Sequence, residues 1–228
     1  MNPIVPTQRR AWLAGGLSLL IVAAAAAPLQ AQEDISKVNG GISIDAGQRA
    51  GNLSTVNGGI SLDDNAVAGS AETVNGGIRL GKGARVASVE SVNGGIRMDE
   101  GAQVEGDLES VNGSITLLPQ AGIAGGLTNV NGTITLDAAR VGGALTTTNG
   151  SILIGSGSVV EGGLLVRKPR GWGSESRPPR VVIGPDAEVR GSLVFEREVS
   201  LYVHDRARIG TVEGATAQRF SGAEPPAQ

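Results

Sequence analysis

The sequence predicts an all-β fold, a single-stranded β-solenoid (β-helix) with coils of about 18 residues and three short strands in each coil. An Asn-Gly dipeptide followed by an Ile-x-aliphatic run recurs seven times, with its asparagines at Asn39, Asn57, Asn75, Asn93, Asn112, Asn131 and Asn149. Such a fixed period is typical of a solenoid, in which each coil buries its apolar side against its neighbours. Alternating apolar and polar residues within each coil indicate strands with one buried face. Right-handed winding is favoured, but the sequence leaves the handedness open.

The chain begins with a segment that resembles a secretory signal peptide, residues 1–31. Arg9 and Arg10 precede an apolar run over residues 11–27, and small residues surround the expected cleavage point after Ala31. The run is short for a bilayer span, so an uncleaved anchor is the lesser alternative. The protein contains no cysteine, which excludes disulfides and attachment through a lipidated cysteine. The sequence therefore predicts an exported protein in the periplasm, on the outer surface or secreted.

The solenoid is expected over residues 32–166, and its inward side chains can be assigned. One predicted inward column consists of Ile42, Ile60, Ile78, Ile96, Ile115, Ile134 and Ile152, and the next of Ile44, Leu62, Leu80, Met98, Leu117, Leu136 and Ile154. The residue between each pair is mostly polar, as expected for a solvated face. Glycine is abundant, 36 of 228 residues, and aromatic residues make up only 2%, which suits thin coils.

Each Asn-Gly dipeptide has an expected structural role at a corner between strands. Glycine, and to a lesser degree asparagine, tolerates the positive φ that a sharp corner requires. The asparagines of successive coils can also form a ladder in which one side-chain amide donates to the next.

Residues 167–180 interrupt the pattern and are predicted to form a basic loop rich in proline and glycine. Three prolines and two glycines forbid a continuing strand. The candidate ligand-binding residues of this loop are Arg167, Lys168, Arg170, Trp172, Arg177 and Arg180. Because binding residues often lie on long loops of rigid scaffolds, we expect this loop to bind an envelope polysaccharide or another anionic surface. The alternative is a solvent-exposed loop that binds no partner. Without residues 1–31 the chain has 17 basic and 22 acidic residues, and the lack of a broad basic face argues against nucleic-acid binding.

The coil pattern returns over residues 181–213, and the tail at 214–228 is predicted to be disordered because it lacks apolar periodicity. The phrase Ile183-Gly-Pro-Asp-Ala-Glu-Val-Arg-Gly-Ser-Leu193 repeats the plan of Met98-Asp-Glu-Gly-Ala-Gln-Val-Glu-Gly-Asp-Leu108. Leu201 to Val212 is interpreted as a last, degenerate coil.

Two family resemblances follow from these phrases. The Val-Asn-Gly-x-Ile-x-Leu phrase over residues 37–165 resembles a bacterial adhesin family of secreted β-strand-repeat proteins. The aliphatic-x-x-x-Ala-x-Val-x-Gly-x-Leu phrase, present in parts of residues 98–193, is similar to the bactofilins, cytoskeletal proteins that polymerise and have a right-handed β-helix. The first resemblance implies an adhesin-like role, and the second implies end-to-end self-association. Bactofilins are typically cytoplasmic, which does not agree with the predicted export.

A column of aspartates raises the question of a metal. Asp45, Asp63, Asp99 and Asp137 each follow a repeat asparagine by six residues. Only Asp45, Asp63 and the adjacent Asp64 are dense enough for a weak Ca²⁺ site, and Ca²⁺ requires six to eight oxygens. Aspartate after a strand also favours turns, so the column has a structural explanation and no cofactor is required.

Enzymatic function is not expected. The strict six-residue periodicity resembles the hexapeptide acyltransferases, whose chemistry relies on a histidine base, but the only histidine is His204, expected to be a surface residue of the degenerate coil. The sequence is therefore interpreted as that of an exported, non-enzymatic β-solenoid, a structural or adhesin-like component of the bacterial cell envelope. The alternatives are a self-polymerising, bactofilin-like scaffold and a polysaccharide-acting β-helix enzyme.

Overall fold

The structure is a computed structural model that describes residues 32–169, 178–222 and 224–225. The predicted signal peptide, residues 1–31, lies outside the described residues. The regular structure is all β, and no helix among the described residues is long and apolar enough to cross a membrane. The strands are β1 (Ile35–Asn39), β2 (Ile42–Ile44), β3 (Leu53–Asn57), β4 (Ile60–Leu62), β5 (Val67–Asn75), β6 (Ile78–Leu80), β7 (Arg85–Asn93), β8 (Ile96–Met98), β9 (Gln103–Val104), β10 (Leu108–Asn112), β11 (Ile115–Leu117), β12 (Gly122–Ile123), β13 (Leu127–Asn131), β14 (Ile134–Leu136), β15 (Arg140–Val141), β16 (Leu145–Thr147), β17 (Ile152–Ile154), β18 (Val159–Val160), β19 (Leu164–Val166), β20 (Arg180–Ile183), β21 (Glu188–Val189), β22 (Leu193–Phe195), β23 (Ser200–His204), β24 (Arg208–Ile209), β25 (Val212–Glu213) and β26 (Ala217–Phe220).

The strands form three parallel faces of a β-solenoid, which confirms the predicted fold class. Ten strands make the first face, in the order β2-β4-β6-β8-β11-β14-β17-β20-β23-β26. The second face contains the two-residue strands β9, β12, β15, β18, β21 and β24, and the third contains β10, β13, β16, β19, β22 and β25 together with β1 and β3. The nine-residue strands β5 and β7 run through both of these faces and join them into one 16-stranded sheet.

The core consists of the predicted inward columns. Each pair of neighbouring coils is in register, for example Ile78 with Ile96 and Ile96 with Ile115. All fourteen predicted inward residues are buried, and none is more than 6% exposed. Ala84, Ala102 and Ala121 add a column of small side chains where the coil is narrow. At about 25 cal/mol per Å², this continuous apolar burial is the main source of stability in a chain that has no disulfide.

The glycine of each Asn-Gly dipeptide is required mainly for a reason that the sequence does not reveal. Only Gly40 and Gly132 have φ in the left-handed region, so positive φ does not explain the other five. Instead, from the second coil onward, a Cβ added to this glycine would overlap the carbonyl oxygen of the equivalent glycine one coil earlier. The glycines that could not carry a Cβ for this reason are Gly58, Gly76, Gly94, Gly113, Gly132 and Gly150. The explanation by positive φ is therefore wrong for most corners, and close stacking of backbone on backbone replaces it.

The last described segment differs from the predicted disordered tail. Strand β26 pairs with β23, and the Phe220 ring packs edge-on against His204 with the ring centroids 5.1 Å apart. Val182, Tyr202 and Phe220 form a small cluster on the outer side of the first face. The disorder prediction is thus wrong for Ala217–Phe220, because pairing with an existing strand supplies the order that this short polar segment does not encode itself.

Candidate functional site

An asparagine ladder runs along the surface where the third face turns into the first. The Nδ2 of each repeat asparagine donates to the Oδ1 of the equivalent asparagine one coil earlier, at 2.8–3.1 Å, through all seven residues from Asn39 to Asn149. Most of the asparagines are exposed, so the ladder lies outside the core. A valine precedes each of the first six asparagines, and Val38, Val56, Val74 and Val111 are 40–67% exposed. The corner therefore presents a fixed row of amides beside a row of apolar side chains.

A buried polar column, which the repeat pattern did not predict, lies beneath this ladder. It consists of the residues two positions before the repeat asparagines, Thr55, Thr73, Ser91, Ser110, Asn129 and Thr147, all nearly inaccessible to solvent. Thr55 Oγ1 donates to the carbonyl oxygen of Gly40 at 3.1 Å, and Thr73 Oγ1 donates to that of Gly58 at 2.9 Å. Four of the six residues, Thr55, Thr73, Ser91 and Asn129, thus donate to glycine carbonyls at the corner. A small polar residue at this fixed position was the signal that could have revealed it.

The ladder ends where the sequence changes from asparagine to basic residues. The register pairs Thr147 with Val166, and Val166 with Phe195. Two positions after these residues come Asn149, Lys168 and Arg197. Lys168 and Arg197 therefore continue the column of Asn149 in the next two coils. Arg197 reaches back past Lys168, and its Nη1 donates to Asn149 Oδ1 at 2.9 Å. Together with the preceding Arg167, these side chains form the basic corner, defined as Arg167, Lys168 and Arg197.

The basic corner borders a surface pocket of about 690 Å³. It is lined by Val130, Thr148, Asn149, Leu165, Arg167, Lys168, Pro169 and Glu196. Arg167 and Lys168 are exposed, and within the described residues neither side chain forms an ion pair with an acid. Glu196 is the one carboxylate among the described residues that line this pocket, and its Oε2 accepts a hydrogen bond from the backbone N–H of Lys168 at 3.1 Å. The pocket therefore has a positive rim.

The structure separates the predicted loop residues. Arg167 and Lys168 lie together at the basic corner, whereas Arg170, Trp172 and Arg177 lie outside the described residues. Arg180 is already part of β20, and its guanidinium lies 4.7 Å from the centroid of the Tyr202 ring, on the first face. Arg180 thus belongs to a different surface from Arg167 and Lys168.

A second charged cluster lies on the first face of the early coils. The Asp99 carboxylate is nearly buried and accepts hydrogen bonds from Arg79 at 2.7 Å and from Arg97 at 2.9 Å. Burial alone would raise the pKa of Asp99, but the hydrogen bonds from the two guanidinium groups outweigh it and hold the pKa below its ordinary value. Both arginines are therefore fixed in a structural ion-pair network.

A third charge network covers the second face toward the end of the chain. Glu161 pairs with Arg140 and Arg190, while Glu188 pairs with Arg190 and Arg208 at 3.1 Å. Hydrogen bonds from Arg190 and Arg208 hold the pKa of Glu188 below its ordinary value. These arginines are paired with neighbouring carboxylates, whereas Arg167 and Lys168 form no ion pair with a described acid.

The candidate Ca²⁺ ligands do not converge. Within the described part of the chain, no group of three or more acidic or histidine side chains is placed to hold a metal ion. Asp45, Asp63 and Asp64 are exposed, and Asp64 Oδ1 instead accepts a hydrogen bond from the backbone N–H of Lys82 at 2.9 Å, one coil later. Asp64 thus has a structural contact to the next coil.

His204, the residue on which an acyltransferase mechanism would depend, lies in a different environment from the one expected. It is 6% exposed, so the expectation of a surface residue is wrong. Its Nδ1 accepts a hydrogen bond from the backbone N–H of Arg206 at 3.1 Å, and its ring packs against Phe220. These contacts give His204 a packing role that the coil pattern could not indicate.

Comparison of the chain with models of known protein families, with curated proteins and with solved structures found no match.

Proposed function

We propose that the protein is an exported, non-enzymatic β-solenoid that serves as a structural or adhesin-like component of the bacterial cell envelope. The observation that carries this proposal is the unbroken asparagine ladder beside its row of valines, a repetitive surface that extends over seven coils. A surface that repeats the same groups at the spacing of about 4.8 Å between strands suits contact with an extended polymer better than conversion of a small substrate.

The chemistry of the described surface supports this role. Its polar groups are largely satisfied by groups of the adjacent coil, as in the asparagine ladder and in the ion pairs of Asp99 and Glu188. Groups held in this way are preorganised, which lowers the entropy lost on binding. Parallel backbone pairing between the described coils also protects these strands from proteases, an advantage outside the cytoplasm.

Cell fractionation with mass spectrometry of the N-terminus tests export. We expect the protein in the periplasmic, outer-membrane or secreted fraction, with Gln32 as the first residue. Recovery of a chain that begins with Met1 in the inner-membrane fraction would favour an uncleaved anchor. Recovery of that chain in the cytoplasm would contradict the proposal.

End-to-end self-association is the second candidate function. In the first described coil, β1 pairs only with β3 and β2 only with β4, so each has one edge without a strand partner among the described residues. Strand edges of this kind are templates for pairing with another chain. Electron microscopy of the purified protein tests this: filaments support a polymerising scaffold, whereas uniform single particles at all concentrations contradict it.

A further inference from the structure

We propose that the basic corner binds an anionic oxygen group carried by a sugar ring of a polysaccharide. This inference deepens the proposed function, from which it takes only the envelope setting of the polymer. It concerns Arg167, Lys168 and Arg197 together with the adjoining pocket.

The position of the basic corner distinguishes it from the other cations of the solenoid. The same column contains asparagine in seven coils and then changes to Lys168 and Arg197, while the register of the coils is retained. Arg167 and Lys168 line the pocket together with one carboxylate among the described residues, that of Glu196, so the described lining carries a net charge of +1. Because the chain without residues 1–31 is acidic overall, with 17 basic and 22 acidic residues, the corner is a local reversal of sign.

The basic corner is also organised by contacts from below. The Arg197 guanidinium donates to Asn149 Oδ1 at 2.9 Å and to the carbonyl oxygen of Thr148 at 3.4 Å. The backbone N–H of Arg167 donates to the carbonyl oxygen of Thr147 at 2.8 Å, which fixes the start of the segment on the preceding coil. The side chains thus project from a backbone that the solenoid already holds.

The composition of the pocket indicates the ligand class. Val130 and Leu165 provide apolar surface, Thr148 provides a hydroxyl group, and Arg167 and Lys168 provide the charge. A sugar ring has an apolar face and hydroxyl groups at its edge, and an acidic sugar adds an anionic group. The volume of about 690 Å³ lies within the usual range for ligand pockets.

The test measures binding of fluorescent oligogalacturonate, a carboxylate-bearing glycan, to the purified protein by anisotropy. The test variant is Arg167→Gln/Lys168→Asn, in which asparagine also continues the ladder column. Arg197 is left unchanged because it caps the ladder. The control is Arg85→Gln, since Arg85 is exposed on another face and forms no ion pair with a described acid.

We expect the double variant to bind at least about tenfold more weakly, since hydrogen bonds to charged groups contribute strongly to affinity. The control should change affinity less than about twofold, because its charge is screened over a Debye length of about 8 Å. Neutral dextran should not compete. Competition by inorganic phosphate at low concentration supports the site and assigns phosphate as the preferred group.

Equal weakening in the double variant and in Arg85→Gln would overturn the inference, because net charge alone would then explain binding. Absence of oligogalacturonate binding and of phosphate binding by the unaltered protein would overturn it as well. Neither result bears on export, which fractionation tests separately. A melting temperature of the double variant equal to that of the unaltered protein verifies that the solenoid is intact.

Discussion

The two adjacent glycines at the corner before β8 provide a stringent test of the coil stacking. A Cβ at Gly94 would overlap the carbonyl oxygen of Gly76. The distance between these two atoms would be more than about 1 Å shorter than an ordinary van der Waals contact. The atoms involved belong to the backbone, so no side chain can rotate away. A Cβ at Gly95 would instead lie 3.1 Å from the carbonyl oxygen of Ser114, which a small local shift can accommodate. Gly94→Ala and Gly95→Ala therefore form a matched pair.

The expected cost of Gly94→Ala combines two effects. Overpacking costs about 1–3 kcal/mol, and the displaced corner weakens hydrogen bonds of about 0.5–1.5 kcal/mol each. One of these joins the N–H of Gly94 to the carbonyl oxygen of Asn112 at 2.9 Å. We expect a total loss of about 3–5 kcal/mol for Gly94→Ala, and less than about 1 kcal/mol for Gly95→Ala.

Thermal unfolding followed by circular dichroism in the β-sheet region measures this difference. At about 2–4 °C per kcal/mol for a domain of this size, Gly94→Ala should melt at least about 6 °C lower than the unaltered protein. Gly95→Ala should stay within a few degrees of it, by the same conversion. Equal melting temperatures for the two variants would refute the stacking argument.

Three further predictions concern the core, the ladder and the buried carboxylate. Ile96→Asp places an unpaired charge between Ile78 and Ile115 and should destabilise the protein by several kcal/mol, whereas a harmless substitution would contradict the register. Asn93→Ala removes two ladder hydrogen bonds and Asn39→Ala removes one, so chemical denaturation should show about twice the loss for Asn93, at about 0.5–1.5 kcal/mol per bond; equal losses would argue against the ladder. The folded-state pKa of Asp99 is lowered, so its ion pairs stabilise the protein above the unfolded-state pKa, and this contribution is lost as pH falls through the folded-state pKa. The stability difference between the unaltered protein and Asp99→Asn should therefore be full at neutral pH and shrink below about pH 4, and a pH-independent difference would contradict the pairing.

The sequence predicted the features that repeat in every coil. The columns of Ile96 and Met98 follow from alternation and a fixed period, and both are buried as predicted. The sequence located the corner glycines but did not show why glycine is required there. The reason is an overlap at Gly94 with a residue 18 positions earlier, which a local pattern does not reveal.

Features that occur only once were not predictable in the same way. Arg197 contacts Asn149 from 48 positions away, because it lies two coils later and one of these coils contains the basic loop. Asp99 looked like one member of a turn-forming column, yet it binds Arg79 of the preceding coil as well as Arg97. Such pairs depend on which long side chains reach one another across coils, and a one-dimensional pattern does not specify that.

The proposed envelope role and the proposed sugar-binding corner both require that the outward side chains form continuous columns, with one position per coil. The chain lacks cysteine, so Ser43→Cys/Leu153→Cys gives two unique sites for spin labels on the outer side of the first face. Ser43 and Leu153 belong to one register column, six coils apart. Double electron–electron resonance should give one narrow distance distribution near 29 Å, from about 4.8 Å per coil. A broad distribution, or a distance beyond about 40 Å even after allowance for the label arms, would contradict the stacked solenoid.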